Sequence, residues 1–135
     1  MDNLSKDSRR KNMQHIRSEN TVPELLVMNT LKYRRIYFAR HVNKIIGKPD
    51  IVFRRKKIVV FIDSDFWHCN PRKFIMPQTN KDYWVKKIKR NVERDKTVNK
   101  ELRKNGWKVL RFWESDIKKN VEVVVNKIIR ELDKL

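Results

Sequence analysis

Two patterns of apolar residues alternate along the chain, one with the period of a helix and one in continuous runs, and the switches between them mark its elements. Thr21-Val-Pro-Glu24 opens a first helix: Thr21 is a capping residue, Pro23 fits the first turn, and Glu24 stands where a capping box places its carboxylate. Leu25, Met28 and Leu31 share one face of it. A short strand is expected over 36–39, and Gly47-Lys-Pro49 marks a turn. Asp50-Ile-Val-Phe53 and Ile58-Val-Val-Phe-Ile62 are apolar runs joined by the basic tetrad Arg54-Arg-Lys-Lys57, which predicts a hairpin with a charged tip. The second run is apolar throughout, as a central strand buried on both faces would be. From Asp82 to Lys104 the pattern turns helical, with Trp84, Ile88, Asn91, Asp95, Val98 and Leu102 on one stripe, and Asn105-Gly106 ends that helix with a left-handed cap. Residues 107–113 form a further strand, and Val121, Val124, Ile128 and Leu132 line a last amphipathic helix. This order predicts a mixed sheet flanked by helices, an α/β or α+β layer fold.

The chain has 135 residues, and 34 Lys and Arg against 16 Asp and Glu give it a net charge of +18. That is the length of one domain, and a 39% hydrophobic fraction is enough to fill its core and to exclude wholesale disorder. So large an excess of one sign repels itself in the folded state, and nucleic acid is the anionic partner that most often neutralises it, with an acidic membrane surface as the competing reading. Residues 1–20 are polar and basic, read either as an arm or short helix lying on such a partner or as a frayed terminus. No apolar run reaches the roughly 18 residues of a membrane span, and the first residues carry no signal-peptide core, so a soluble cytoplasmic protein is expected. The single cysteine, Cys69, excludes an internal disulfide and any zinc site built on two cysteines.

Asp95 is conspicuous on the long helical stripe, because a carboxylate facing the core needs a partner to offset its desolvation. His68, an arginine, or another helix end can supply it. Asp50 and Asp63 stand at the head of one hairpin strand and the end of the next. Two carboxylates at adjoining strand ends suit Mg²⁺, a hard cation that prefers oxygen ligands; the alternative for Pro49-Asp50 is a turn whose Asp bonds local backbone. His68 follows Phe66-Trp67 just beyond, a titratable ring beside aromatic faces. His15 and His41 have no such company and are assigned no role, and Ser64 lacks the partners of a nucleophilic serine.

Lys48-Pro49-Asp50, Phe61-Ile-Asp-Ser-Asp-Phe-Trp-His68, Asn91-Val-Glu-Arg-Asp95 and Gly106-Trp-Lys-Val-Leu110 with Trp113-Glu114 resemble the motifs of the very short patch repair mismatch endonucleases. Arg10-Lys-Asn-Met13 and Thr21-Val-Pro-Glu24 match the same family in the same order, so the resemblance runs from about residue 8 to 115. It implies a single restriction-endonuclease-like catalytic domain over 21–135, preceded by a DNA-contacting arm over 1–20. The implied activity is a Mg²⁺-dependent nick on the 5′ side of the thymine in a T:G mismatch. Asp50 would bind the metal, with the Ile62 carbonyl as a second ligand, and Asp63 would bind metal or position water. His68 would transfer a proton, oriented by Asp95, and Glu24 falls on the family's helical glutamate near the site.

The same resemblance would have Phe66, Trp67 and Trp84 insert into or stack on the mismatch from the major groove, against the alternative of plain core packing, while Met13 and Ile16 wedge from the minor groove. Lys86, Lys87, Lys89, Arg90 and Arg94 would hold phosphates, with Asn91 in the same DNA-facing set. The expected partner is double-stranded DNA with a T:G mismatch, met by a monomer, with mismatch-repair factors as further partners. Two departures stand out. Asp65 and Ser115 occupy positions where zinc-binding members carry Cys, so no zinc is expected, and Ser64 replaces a glycine beside the carbonyl ligand. Related catalytic domains also occur in homing endonucleases, leaving open a homing- or restriction-type nuclease without mismatch preference, or a catalytically silent DNA-binding domain.

Overall fold

The computed structural model of the chain describes residues 21–72 and 74–134. Met13 and Ile16 therefore lie outside the described residues. The elements run α1 (Val22–Tyr33), β1 (Ala39–Arg40), β2 (Ile51–Phe53), β3 (Ile58–Asp63), α2 (Lys81–Lys104), β4 (Lys108–Trp113), α3 (Glu114–Lys119) and α4 (Val121–Asp133). The four strands form one sheet in the order β1-β2-β3-β4, antiparallel across the first two pairs and parallel between β3 and β4.

Strand alternation sorts the core into two layers. Ile51, Phe53, Ile58 and Val60 face the layer made by α1, α3 and α4, through Val27, Met28, Leu31, Ile117, Val124, Val125 and Ile128. Val52, Val59 and Phe61 face the other way, onto Val98 and Leu102 of α2. The predicted mixed sheet between helices is thus an α/β/α arrangement with β3 at its centre, the restriction-endonuclease-like plan. Continuing the alternation by one step puts Asp63 on the α2 face. The α2 stripe forms as its spacing predicts, with Ile88, Val98 and Leu102 buried and Trp84, Asn91 and Asp95 half-buried nearer the helix start. Its end is a Schellman cap: Gly106, at φ +86°, donates its N–H to the Arg103 carbonyl, and Trp107 donates to Leu102.

Three local expectations are corrected. The Thr21 side chain makes no capping hydrogen bond; α1 starts with the Leu25 N–H donating to the Thr21 carbonyl at 3.0 Å, and Glu24 is drawn inward instead. Leu25 lies on the flank, because the face turned to the sheet carries Glu24, Val27, Met28 and Leu31. The strand over 36–39 shrinks to Ala39–Arg40, since Ile36 and Phe38 are used for packing on the core. The short α3, not anticipated, seats Ile117 fully buried beneath the sheet.

Gly47 fixes the loop that delivers Asp50. At φ +81° it sits in the left-handed region, and a Cβ there would lie 2.5 Å from Val98 Cγ1 and 3.3 Å from the Phe61 ring. Gly47→Ala is therefore expected to destabilise the fold by about 1–3 kcal/mol, through strain and overpacking together. Urea unfolding would check this; a loss under about 0.5 kcal/mol would show that the loop relaxes freely.

Candidate active site

The open ends of β2 and β3 meet the start of α1 at a cleft of about 480 Å³ lined by Glu24, His41, Asp50, Asp63 and His68, among others. Asp50 is held at three points: its N–H donates to the Val60 carbonyl at 3.1 Å, its carbonyl accepts from the His41 N–H at 3.0 Å, and its Oδ2 accepts from the Ile62 N–H at 2.7 Å. Glu24, only 4% exposed, comes in from α1. One ligating atom from each of Glu24, His41 and Asp50 lies within 4.8 Å of the others. Burial pushes the Asp50 carboxyl up to about 7; the Ile62 N–H opposes the shift, while the neighbouring Glu24 charge and hydrogen bond add to it. Two carboxylates and an imidazole crowded in a poorly hydrated pocket are the donor set a divalent cation would neutralise.

A second constellation lies on the α2 side. The His68 Nδ1 is hydrogen-bonded to Asp95 Oδ2 and lies 3.8 Å from Asp63 Oδ1. Arg111, from β4, donates to Asp63 Oδ1 at 2.9 Å and through Nε to Asn99 Oδ1 at 2.8 Å, stands 3.8 Å from Asp95, and stacks over the Phe61 ring. Desolvation works against a charged His68, but the Asp95 hydrogen bond and the charges of Asp63 and Asp95 outweigh it and raise its pKa. Burial also raises Asp63, against the pull of His68 and Arg111. The partner that the helical stripe demanded for Asp95 is thus His68, with an arginine nearby as well.

Asp50 and Asp63 share the cleft but are not brought into one ligand cluster. The hairpin register pairs Ile51 with Val60, which sets Asp50 opposite Phe61 and leaves Asp63 two residues farther along β3, beside Arg111. His41 takes the place beside Asp50 instead. No signal in the sequence around His41 announces this, because its approach depends on how the chain turns between β1 and β2. Arg111 was legible in principle: a lone arginine within an apolar strand next to the central one requires a buried anion.

The loop from Ser64 to Phe74 carries the aromatic residues. Asp65 Oδ1 accepts from Ser115 Oγ and from the fully buried Asn70 Nδ2, each at 2.9 Å, which ties this loop to the start of α3. Ser64 has no positive φ, so replacing glycine there introduces no backbone strain. Phe66, Trp67 and Trp84 are half-buried and pack edge-on or tilted at centroid distances of 4.9 to 5.7 Å. Lys87 Nζ lies 5.1 Å over the Trp67 ring, Asn91 Nδ2 donates to the Trp67 carbonyl, and Arg94 donates to Asn91 Oδ1. Glu24, Trp67, His68, Lys87, Asn91 and Arg94 line one further pocket of about 250 Å³ contiguous with the first constellation. Lys86, Lys89 and Arg90 are exposed along the same helix.

The chain is similar in sequence to known proteins. The family description "DNA mismatch endonuclease Vsr" matches residues 1–73. The type II nicking enzyme V.HpaIIP of Haemophilus parainfluenzae is 40% identical over 126 residues, 90% of this chain and 89% of its own length. The type II nicking enzyme V.NaeI of Lentzea aerocolonigenes is 44% identical over 113 residues, 80% of this chain and 68% of its own. DNA mismatch endonuclease Vsr of Escherichia coli (strain K12) is 34% identical over 110 residues, 81% of this chain and 70% of its own. With a family match over more than half its length and relatives aligned along most of theirs, the chain belongs to the DNA mismatch endonuclease Vsr family and is a DNA endonuclease.

Proposed function

We propose that this endonuclease nicks one strand of duplex DNA on the 5′ side of the thymine in a T:G mismatch. The observation that carries the reading is that three chemistries adjoin: Glu24, Asp50 and His68, the last held by Asp95, line one cleft, and Trp67, packed against Phe66 and Trp84, lines the neighbouring pocket with Glu24, His68, Lys87 and Arg94. Asp50 and the Ile62 carbonyl would hold Mg²⁺, with Glu24 beside them. The ion's chemistry is to neutralise charge at the scissile phosphate and make a bound water more acidic. Asp63, already engaged by Arg111, positions water, and His68, oriented by Asp95, moves the proton. A 3′-hydroxyl and a 5′-phosphate result.

The aromatic rings stack on the mismatched step, where opening costs least because pairing is already faulty. In this reading residues 1–20 form an arm whose Met13 and Ile16 wedge from the minor groove, and residues 21–135 form the catalytic domain. Lys87, Arg90 and Arg94, with Asn91, hold the backbone and contribute affinity without sequence information. The enzyme acts as a monomer alongside mismatch-repair factors. Among the described residues no helix is long and apolar enough to cross a membrane.

End-labelled duplexes differing only in a T:G or a C:G pair, with Mg²⁺ or EDTA, test the reading. Mg²⁺-dependent nicking 5′ of the mismatched thymine is the expected result. Equal nicking of both duplexes at one sequence would replace it with a restriction-type enzyme, and the absence of nicking across varied flanking sequences would leave a DNA-binding domain.

A further inference from the structure

We propose that His41 is a further ligand of the cation held at Asp50, beside Glu24, and that its nitrogen gives a site that accepts Mg²⁺ a preference for divalent transition metals. The inference rests on the reading of Asp50 as a metal-binding carboxylate and adds to it a residue that carries no motif.

Three observations converge on His41. Its Nε2 is buried and has no hydrogen-bond partner, a rare state for a polar atom of a folded protein and one that calls for an explanation. That atom lies 3.5 Å from Glu24 Oε2, and one ring nitrogen of His41 lies within 4.8 Å of a carboxylate oxygen of both Glu24 and Asp50. The backbone is committed to the placement: His41 sits at φ +51°, in the left-handed region that a side chain disfavours, while its N–H donates to the Asp50 carbonyl. The residue that presents the carboxylate therefore also fixes the imidazole beside it. A histidine kept only for packing would not need its nitrogen aimed at two carboxylates from α1 and the head of β2.

The donor types set the consequence. Mg²⁺ demands oxygen ligands in near-ideal octahedral geometry and surrenders its waters reluctantly. Imidazole nitrogen is a better ligand for the later first-row ions, whose affinity for a nitrogen-containing site rises from Mn²⁺ to Co²⁺. A site of two carboxylates and one imidazole accepts Mg²⁺ but discriminates in favour of Co²⁺ and, less strongly, Mn²⁺.

Metal binding to the whole protein without DNA separates the possibilities. Calorimetry with Mg²⁺ and Co²⁺ is expected to show that His41→Ala lowers the Co²⁺ over Mg²⁺ preference by about tenfold or more. His41→Gln, which retains a polar side chain of similar reach, is expected to bind Mg²⁺ within about threefold of wild type and to lose the same preference. Pulsed electron paramagnetic resonance of bound Mn²⁺ is expected to show a nitrogen coupling that vanishes in both His41 variants and persists in His68→Ala. An unchanged metal preference, or a nitrogen coupling that survives in His41→Gln, overturns the proposal. Asp50→Asn distinguishes the two levels. If that variant binds both metals as wild type does, the underlying reading of Asp50 fails; if it abolishes binding while the His41 variants change nothing, only the role of His41 does.

Discussion

An Asp50→Asn variant is expected to bind duplex DNA as the wild type does and not to nick it, and its metal-free form to be more stable than the metal-free wild type above pH 7. Both effects come from one carboxylate in one environment. Asn has the shape of Asp and can still accept the Ile62 N–H, so the loop after Gly47 has no reason to move. It lacks the charge that a cation needs. The stability effect follows from proton linkage. Burial holds Asp50 at about 7 against a usual value near 3.8, so between these values the folded chain binds a proton that the unfolded chain has released. The metal-free wild type therefore loses stability as pH rises from about 4 through 7, by a contribution on the order of 3 kcal/mol, and Asn removes that part of the slope. Asp63 and His68, whose pKa values are also raised, keep a residual slope of the same sign. Thermal melts of both proteins in EDTA at pH 5 and pH 8 would measure it. Equal melting points at pH 8 would mean that Asp50 is better solvated than its surroundings indicate, and robust nicking by the variant would remove Asp50 from the chemistry. Added Mg²⁺ is expected to recover stability in the wild type only, because the ion replaces the proton that burial otherwise requires.

The elements that sequence periodicity defines well are those whose burial is decided within a single element. The α2 stripe is one: each residue from Trp84 to Leu102 at helical spacing turns inward, and Asn105-Gly106 ends the helix because only the glycine accepts the left-handed backbone. The hairpin around Arg54–Lys57 is another, since two continuous apolar runs joined by a four-residue charged tip bring Phe53 opposite Ile58. Positions set by tertiary encounter read less well. Glu24 has the spacing of a capping partner, and local geometry alone cannot show that the sheet draws it into the cleft. His41 reaches Asp50 only through the turn between β1 and β2, and Asp63 meets Arg111 only because β4 runs parallel beside β3. The helical stripe marked Asp95 by itself, and the family motifs joined it to Asp50 and His68, three residues that are far apart in the chain. They say nothing of Asp65 and Ser115 beyond the missing cysteines, where the fold instead forms a hydrogen-bonded tie that steadies the aromatic loop.

His68→Ala is expected to slow nicking by about 10²–10⁴ with little change in DNA affinity, the range for loss of a general acid or base. Asp95→Asn should slow it less, because it loosens orientation and leaves the ring in place. Rate alone would not separate a proton-transfer role from simple packing, so the titration of His68 is the sharper measurement. Removing the Asp95 charge takes away its attraction for the imidazolium and weakens the hydrogen bond that raises the His68 pKa, so desolvation moves the titration to lower pH. Arg111→Met acts in the opposite sense: the guanidinium lowers the His68 pKa through its charge, so its loss moves the titration upward. Histidine ring signals followed by NMR in metal-free protein should show these two shifts with opposite signs. The pH dependence of single-turnover nicking should move with them in each variant. Activity lost as His68 becomes protonated identifies it as the base, and activity lost as it deprotonates identifies it as the acid. A nicking rate within twofold of wild type in His68→Ala, or a pH profile unmoved in both Asp95→Asn and Arg111→Met, would reduce the ring to a packing element between Trp67 and α2.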